Sequence, residues 1–144
     1  MTLFFIILIG LVAGMAIGLQ GPMASLISQK MGMLESVLII HLGGAVVALI
    51  PLAFLKGGQL HDWRSLPWYT LAAGAFGLIV IMALSYMIPR IGVASALIIL
   101  VLGQVLVGSI LDHFGLLGAM VRPFDWIKLA GFAVAFFGIW LVIR

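Results

Sequence analysis

The chain has 144 residues, of which 65% are hydrophobic and 8% are charged, and its mean hydropathy is +1.39. A soluble domain needs about a quarter of its residues charged to keep its surface hydrated, so the composition excludes a water-exposed catalytic or nucleic-acid-binding domain. The net charge of +3 comes from bases that stand singly between apolar runs and form no basic patch. The chain has no cysteine, which excludes a disulfide framework, a thiolate metal site and a thiol nucleophile.

Five uncharged, apolar runs divide the sequence. An ionised side chain at the centre of a bilayer costs about 3 kcal/mol or more, so charges mark the ends of membrane spans, and one spanning helix takes about 20 apolar residues. We therefore predict an all-α, polytopic membrane protein, a single five-helix domain over residues 1–144. The predicted spans cover about residues 2–28, 36–55, 66–88, 92–111 and 126–143.

The first run resembles a signal peptide in hydrophobicity only. It has no basic segment before its apolar stretch and no convincing cleavage site, so we expect it to remain in the mature protein. Gly21 and Pro22 interrupt it, and proline leaves a carbonyl without its helical donor, which predicts a kink or a break. Residues 23–31 are expected to continue as helix.

The polar connections between the runs are few. The first polar loop of any size covers residues 56–67, and the second begins near His113 and ends near Asp125. Only residues 89–92 separate the third and fourth spans, which predicts a tight antiparallel hairpin. Tryptophan and tyrosine settle at the level of the lipid head groups, and Trp63, Trp68 and Trp126 fall near predicted ends.

The distribution of basic residues gives almost no instruction about orientation. Orientation follows the asymmetry of Lys and Arg in short loops. With a cytoplasmic amino terminus, that side carries Lys56, Arg64, Arg122 and Lys128, and the other carries Lys30, Arg90 and Arg144. Four bases against three predict a chain that inserts both ways up and pairs with an inverted copy of itself; the alternative is one fixed orientation with a weak signal.

Small residues recur at helical spacing on two spans. Gly10, Gly14 and Gly18 lie along the first span, and Gly131, Ala135 and Gly138 lie along the fifth. Such ridges allow helix backbones to approach closely in lipid. We expect them to serve helix packing, either inside one protomer or at a dimer seam.

Polar side chains are the exceptions in this sequence, and Gln104 has the greatest depth. It lies about 18 Å from the start of the fourth span, close to the middle of an apolar core about 30 Å thick. Gln104, Gly108 and Asp112 follow one another at four-residue steps, a stripe that could line a path. The alternative for Gln104 is an interhelical hydrogen bond worth about 1 kcal/mol.

Four further polar residues are candidates. Turning one protomer over brings its Arg90 to the membrane face where the partner's Asp112 lies, so a pair of these residues across the dimer is geometrically possible. Gln20 and His41 both lie toward the outer side and are expected to be neighbours, and Tyr86 is a lesser candidate. A lone histidine of this kind is more often a hydrogen-bonded packing residue than a proton carrier.

Catalytic and metal-binding interpretations find little support. Asp112 and His113 point about 100° apart on a helix, and no zinc-protease spacing, nucleophile elbow or phosphate loop is present. We expect no enzyme activity, no cofactor and no metal. The first three spans hold no carboxylate, which disfavours an antiporter of cationic drugs.

Four segments carry a resemblance to a known family. They are G-L-Q at residues 18–20, P-R-I-G at 89–92, L-G-Q-V-L at 102–106 and L-D-H-F-G at 111–115. Together they resemble the YdcZ family of short bacterial membrane proteins, which is grouped with the drug/metabolite transporter superfamily. The resemblance implies a five-helix unit equivalent to half of a ten-span transporter, located in the bacterial inner membrane and found as antiparallel homodimers, oppositely oriented pairs or fusions. Gln20, Gln104 and Asp112 occupy family-like positions.

The leading hypothesis is a transporter subunit that moves a small polar solute by alternating access as an antiparallel homodimer, or with an oppositely oriented paralogue. Gln104, Gln20, Tyr86 and His41 are the predicted substrate-binding residues, and Asp112 and Arg90 are the predicted gating or interprotomer residues. The partners expected are therefore a second copy, the lipid bilayer and an unidentified solute, without nucleic acid. A dual-topology dimeric channel for a small ion and a membrane scaffold that transports nothing are the alternatives.

Overall fold

The fold is described from a computed structural model, which covers residues 2–54 and 60–144, without the side chains of residues 2 and 60. Residue 55, the end of the second predicted span, lies outside the described residues. So does Lys56, one of the bases counted for the orientation of the chain.

The described regular structure is entirely helical, which confirms the all-α prediction. The helices are α1 (Thr2–Met31), α2 (Met33–Phe54), α3 (Ala73–Ile91), α4 (Val93–Phe114) and α5 (Trp126–Ile143), with short 3-10 helices at Leu60–Ser65, Trp68–Ala72 and Leu116–Gly118. Within the described residues, five helical segments are long and apolar enough to cross a membrane, and the third of them is Trp68–Ile91. The prediction of five helices able to span a membrane is therefore confirmed.

Helix α1 is not broken at Pro22. The helix continues through this proline to Met31, so the break that the sequence allowed is absent, whereas the continuation over residues 23–31 is confirmed. Spanning helices tolerate proline because neighbouring helices and local backbone adjustments compensate for the lost hydrogen bond.

One glycine makes the turn between α1 and α2. Gly32 has φ +118°, a conformation that side chains rarely permit, and a Cβ there would overlap the Glu35 carboxylate. The Gly32 amide donates to the Ser28 carbonyl at 3.0 Å, and its own carbonyl accepts from the Ser36 amide at 3.1 Å. The two helices consequently follow one another with a single residue between them.

The chain divides into two compact units, Met1–Pro89 and Arg90–Arg144. In the first unit, Ala24, Val37 and Ile81 form a small buried core. The buried Ser36 hydroxyl donates to the Ala24 carbonyl at 2.8 Å and ties α2 to α1 at this point. Residues 3–17 and 41–54 have exposed side chains, so α1 and α2 pack near their connecting turn and present apolar surface beyond it.

Two buried serines of this unit, Ser36 and Ser85, are expected to respond in opposite ways to substitution by alanine. Ser36→Ala removes the hydrogen bond to α1 and is expected to lower the free energy of unfolding by about 1 kcal/mol. Ser85 is 4% exposed, and its hydroxyl has no hydrogen-bond partner within the described residues. Because removing an unsatisfied polar group is neutral or favourable, Ser85→Ala is expected to preserve or raise stability. Unfolding in mixed micelles measures the stability of both variants. Equal losses of stability would contradict the assignment of a stabilising hydrogen bond to Ser36 and an unsatisfied hydroxyl to Ser85.

In the second unit, two residues set the ends of the helices. Gly115, with φ 63° and ψ 30°, ends α4 in the left-handed conformation usual for a helix C-cap. Asp125 begins α5, because its carboxylate accepts a hydrogen bond from the Lys128 amide at 2.7 Å. Residues 119–125 connect the two helices without regular secondary structure, after one short 3-10 turn.

Candidate functional site

Helices α4 and α5 border an apolar groove of about 360 Å³. Its lining is Ile98, Val101, Leu102 and Val105 from α4, and Phe132, Ala135, Gly138, Ile139 and Val142 from α5. The groove exists because α5 presents small residues here. A Cβ built at Gly131 or Gly138 would meet no described atom beyond the adjoining backbone of α5 within 4 Å, so no described helix packs directly on these glycines.

The groove has a polar mouth. A second cavity of about 260 Å³ shares Val105, Phe132 and Ala135 with the first, and adds Ser109, Asp112, Lys128 and Gly131 to the lining. Asp112 lies in the last turn of α4 and Lys128 in the first turn of α5. One carboxylate and one ammonium therefore border the same end of an otherwise apolar groove.

The backbone holds the Lys128 side chain in place. Its Nζ donates to the Arg122 carbonyl at 3.0 Å and to the Pro123 carbonyl at 3.3 Å. The carboxylate of Asp112 is half-buried, and the structure records no ion pair or hydrogen bond for this carboxylate within residues 2–54 and 60–144. The mouth thus contains a fixed cation and a carboxylate that retains its full capacity to accept hydrogen bonds.

The connecting segment is fastened to both helices. The Arg122 amide donates to the Asp112 carbonyl at 2.8 Å, and the Phe124 amide donates to His113 Nδ1 at 2.9 Å. The Phe124 ring stacks on Phe132 with centroids 5.7 Å apart. These contacts give the mouth a defined shape, and they assign His113 a structural role in its neutral form, with the proton on Nε2.

Gln104 lies half-way along α4 and is exposed. It adjoins Val105, which lines the groove, and successive residues of a helix point about 100° apart. The stripe predicted through Gln104, Gly108 and Asp112 therefore drifts around the helix, and only Asp112 reaches the groove lining. The structure records no hydrogen bond for the Gln104 side chain within the described residues.

The remaining predicted substrate-binding residues lie in the first unit. Gln20, on α1, is exposed, and the structure records no hydrogen bond between Gln20 and His41 in the described part of the chain. His41 Nδ1 donates to the Val37 carbonyl at 2.8 Å. Its Nε2 lies against α3, where a Cβ at Gly77 would come within 2.6 Å of it. Tyr86 is exposed on α3.

Among the described residues, no helix packs on the predicted ridge of α1. A Cβ built at Gly10, Gly14 or Gly18 would meet nothing within 4 Å. In the described part of the chain, the space beside this ridge is therefore open.

Arg90 is exposed in the last turn of α3. Within the described part of the chain the structure records no ion pair between Arg90 and Asp112. The pair that the sequence suggests would join two copies, and it stays a prediction.

Sequence reasoning missed the groove and the place of Lys128 at its mouth. Lys128 was interpreted only as a boundary charge, and Ser109 was not selected for the site. The available signal was the coincidence of small residues at 131, 135 and 138 with polar residues at 109 and 112. Within residues 2–54 and 60–144, no group of three His, Asp or Glu side chains is placed to hold a metal ion.

Comparison with known families agrees with this architecture. The family model described as "Putative inner membrane exporter, YdcZ" matches residues 5–141. The chain belongs to the YdcZ family. The resemblance drawn from the four sequence segments is confirmed. No curated protein and no solved structure matches the chain.

As a YdcZ-family member with five apolar helices, the chain is a multi-pass protein of the inner membrane. The description of the family as exporters supports a membrane transporter. The matched range includes Gln20, His41, Gln104, Asp112 and Lys128, so both the polar candidates on the spans and the mouth of the groove lie within the region that matches the family.

Proposed function

We propose that this protein is one half of an antiparallel homodimer that exports a small polar solute by alternating access. Two inverted copies would together form the ten-span arrangement of a drug/metabolite transporter, with the solute site near the bilayer midplane between them. An oppositely oriented paralogue is the other possible source of the second half. No catalytic step is part of this proposal.

The observation that carries the proposal is the environment of the two glutamines. Gln104 and Gln20 are exposed on spanning helices, and no described residue of the chain makes a hydrogen bond with either side chain. A polar group that faces lipid leaves its hydrogen bonds unmade, so polar groups in spans face a protein interior or a wet cavity. A second copy would shield the two glutamines from lipid, and a solute bound between the copies would make their hydrogen bonds.

Two further features support an inverted partner. The ridge of Gly10, Gly14 and Gly18 offers close backbone approach, and no described residue outside α1 lies within 4 Å of a Cβ built on it. The near-equal distribution of basic residues allows both orientations to be present in one membrane. In such a dimer, Arg90 would lie at the same membrane face as the partner's Asp112. Reversing either charge alone is expected to impair dimer assembly or transport, and reversing both is expected to restore it in part.

A ligand screen followed by transport measurement tests the proposal. Purified protein is heated with a panel of polar metabolites and organic cations; a compound that binds the folded state at 100 times its Kd adds about 2.7 kcal/mol of stability. Uptake of that compound into proteoliposomes is expected to saturate and to accelerate when unlabelled compound is present on the other side. A current linear in driving force would instead identify a channel, and binding without flux would identify a scaffold.

A further inference from the structure

We infer that the groove between α4 and α5 binds one phospholipid with a phosphoethanolamine head group. Its acyl chain lies along the apolar lining, and its head group lies between Lys128 and Asp112. This lipid site is separate from the proposed solute site and does not depend on the transport function.

The length of the groove matches one leaflet. Asp112 and Ile98, which border its two ends, are 14 residues apart on α4, or about 21 Å along the helix axis. One leaflet contributes about 15 Å of hydrocarbon. The groove therefore accommodates the depth of one acyl chain together with the start of its head group.

The lining and the shape favour an alkyl chain. The residues that border the groove, from Ile98 on α4 to Val142 on α5, are all hydrophobic or small, and they include Ala135 and Gly138. If the groove were empty, both helices would lose dispersion contacts along it. In a bilayer, a lipid acyl chain can fill the groove and restore these contacts.

The mouth is complementary to a zwitterion. Lysine has three N–H donors, and two of those at Lys128 bind the carbonyls of Arg122 and Pro123. The third remains for a phosphate oxygen. Asp112, across the mouth, can accept from an ammonium group, and its two oxygens leave room for a second cation as well. A phosphoglycerol head group would supply the phosphate and no cation, so the charges favour phosphoethanolamine.

A helix from a second copy is the rival occupant of the groove. A helix with its side chains is about 10 Å wide, and the small residues of α5 could receive it. A second copy could bring a cation to Asp112, such as the partner's Arg90, but it would cover the mouth without supplying the phosphate that Lys128 fits.

A matched pair of substitutions on α5 tests the site. Ala135 lines both cavities, whereas Ala133 is exposed and belongs to neither lining. Ala135→Leu fills the groove, and Ala133→Leu makes the same change on the opposite face. Protein stripped of lipid is mixed with dodecyl maltoside micelles that contain palmitoyl-oleoyl phosphatidylethanolamine, and native mass spectrometry counts the bound lipid.

The wild type and Ala133→Leu are expected to retain one lipid per protomer, and Ala135→Leu is expected to bind at least about tenfold more weakly. The dimer fraction, measured by cross-linking in the same samples, is expected to be unchanged. Equal lipid retention by the two variants would overturn the inference, and so would a loss of dimer in Ala135→Leu, which would identify a second copy as the occupant.

Two head-group variants test the charges. Lys128→Gln is expected to weaken phosphatidylethanolamine and phosphatidylglycerol binding alike by about tenfold, since hydrogen bonds to charged groups are the strong ones, and Lys128→Arg is expected to retain both. Asp112→Asn is expected to abolish the preference for phosphatidylethanolamine. A wild-type protein that binds the two lipids equally would overturn the assignment of the head group. Solute uptake is measured separately, so failure of the lipid site and failure of the transport proposal are distinguishable.

Discussion

A carboxy-terminal reporter on this chain is expected to be found on both sides of the inner membrane in comparable amounts. Orientation follows the asymmetry of Lys and Arg near the spans, and a cytoplasmic amino terminus gives four bases on one side against three on the other. The proposed dimer requires both orientations in one membrane. Alkaline phosphatase and green fluorescent protein fusions, each active on one side only, measure the two populations.

Locking the orientation is expected to abolish transport. Lys30→Gln with Arg144→Gln leaves four bases against one and favours a cytoplasmic amino terminus. Lys56→Gln with Arg64→Gln, plus a lysine appended after Arg144, leaves two against four and favours the reverse. Each variant alone lacks an inverted twin, so uptake is expected to fall by at least about tenfold, and expression of both together is expected to restore it.

The charge-preserving variant Lys30→Arg with Arg144→Lys is the matched control, and it is expected to keep both orientations and full uptake. Two results contradict the antiparallel dimer: a wild-type reporter confined to one side, or a locked variant that transports as well as the wild type when expressed alone.

The fold could be predicted from the sequence to a large extent, because charges are costly in a bilayer and mark the ends of spans. The fifth span, for example, coincides with α5 at both ends. The turn at Gly32 was not predicted, since its positive φ depends on the geometry of two packed helices. Pro22 was predicted to kink or break α1. The break is absent, since α1 continues through Pro22, and this outcome was not predictable because the sequence does not reveal what compensates for the lost hydrogen bond.

The candidate site could be predicted only in part. Depth follows from position along a helix, so the place of Gln104 at mid-span was accessible to sequence reasoning. The groove could not be predicted, because an open space between helices depends on which faces meet. Small residues such as Gly131 and Gly138 are compatible with close packing and with open space equally well. The contact between His41 and Gly77 has the same origin, since residues on different helices become neighbours only through packing.

Gln104→Leu is expected to reduce solute uptake by about 10- to 100-fold. The glutamine lies at mid-span and is exposed, with no hydrogen bond within the described residues, so in the proposed dimer its amide is free to bind the solute. Loss of a hydrogen bond that leaves a polar solute group unsatisfied costs about 1–3 kcal/mol, or about 5- to 160-fold in affinity, which includes that range. The measurement is initial uptake into proteoliposomes of the compound that the thermal screen identifies.

Gln29→Leu provides the matched control, because it makes the same chemical change at the end of α1. Gln29 is exposed there and donates to the Ser25 hydroxyl at 3.1 Å, so its loss is expected to leave uptake nearly unchanged. Cross-linking separates a binding role of Gln104 from a packing role: a binding residue loses uptake and keeps the dimer, whereas a packing residue loses about 1 kcal/mol of association. Unimpaired uptake with intact dimers in Gln104→Leu would remove Gln104 from the solute site. The antiparallel arrangement would still be tested independently by the orientation-locked variants, because that arrangement depends on the distribution of charge and not on any one polar side chain.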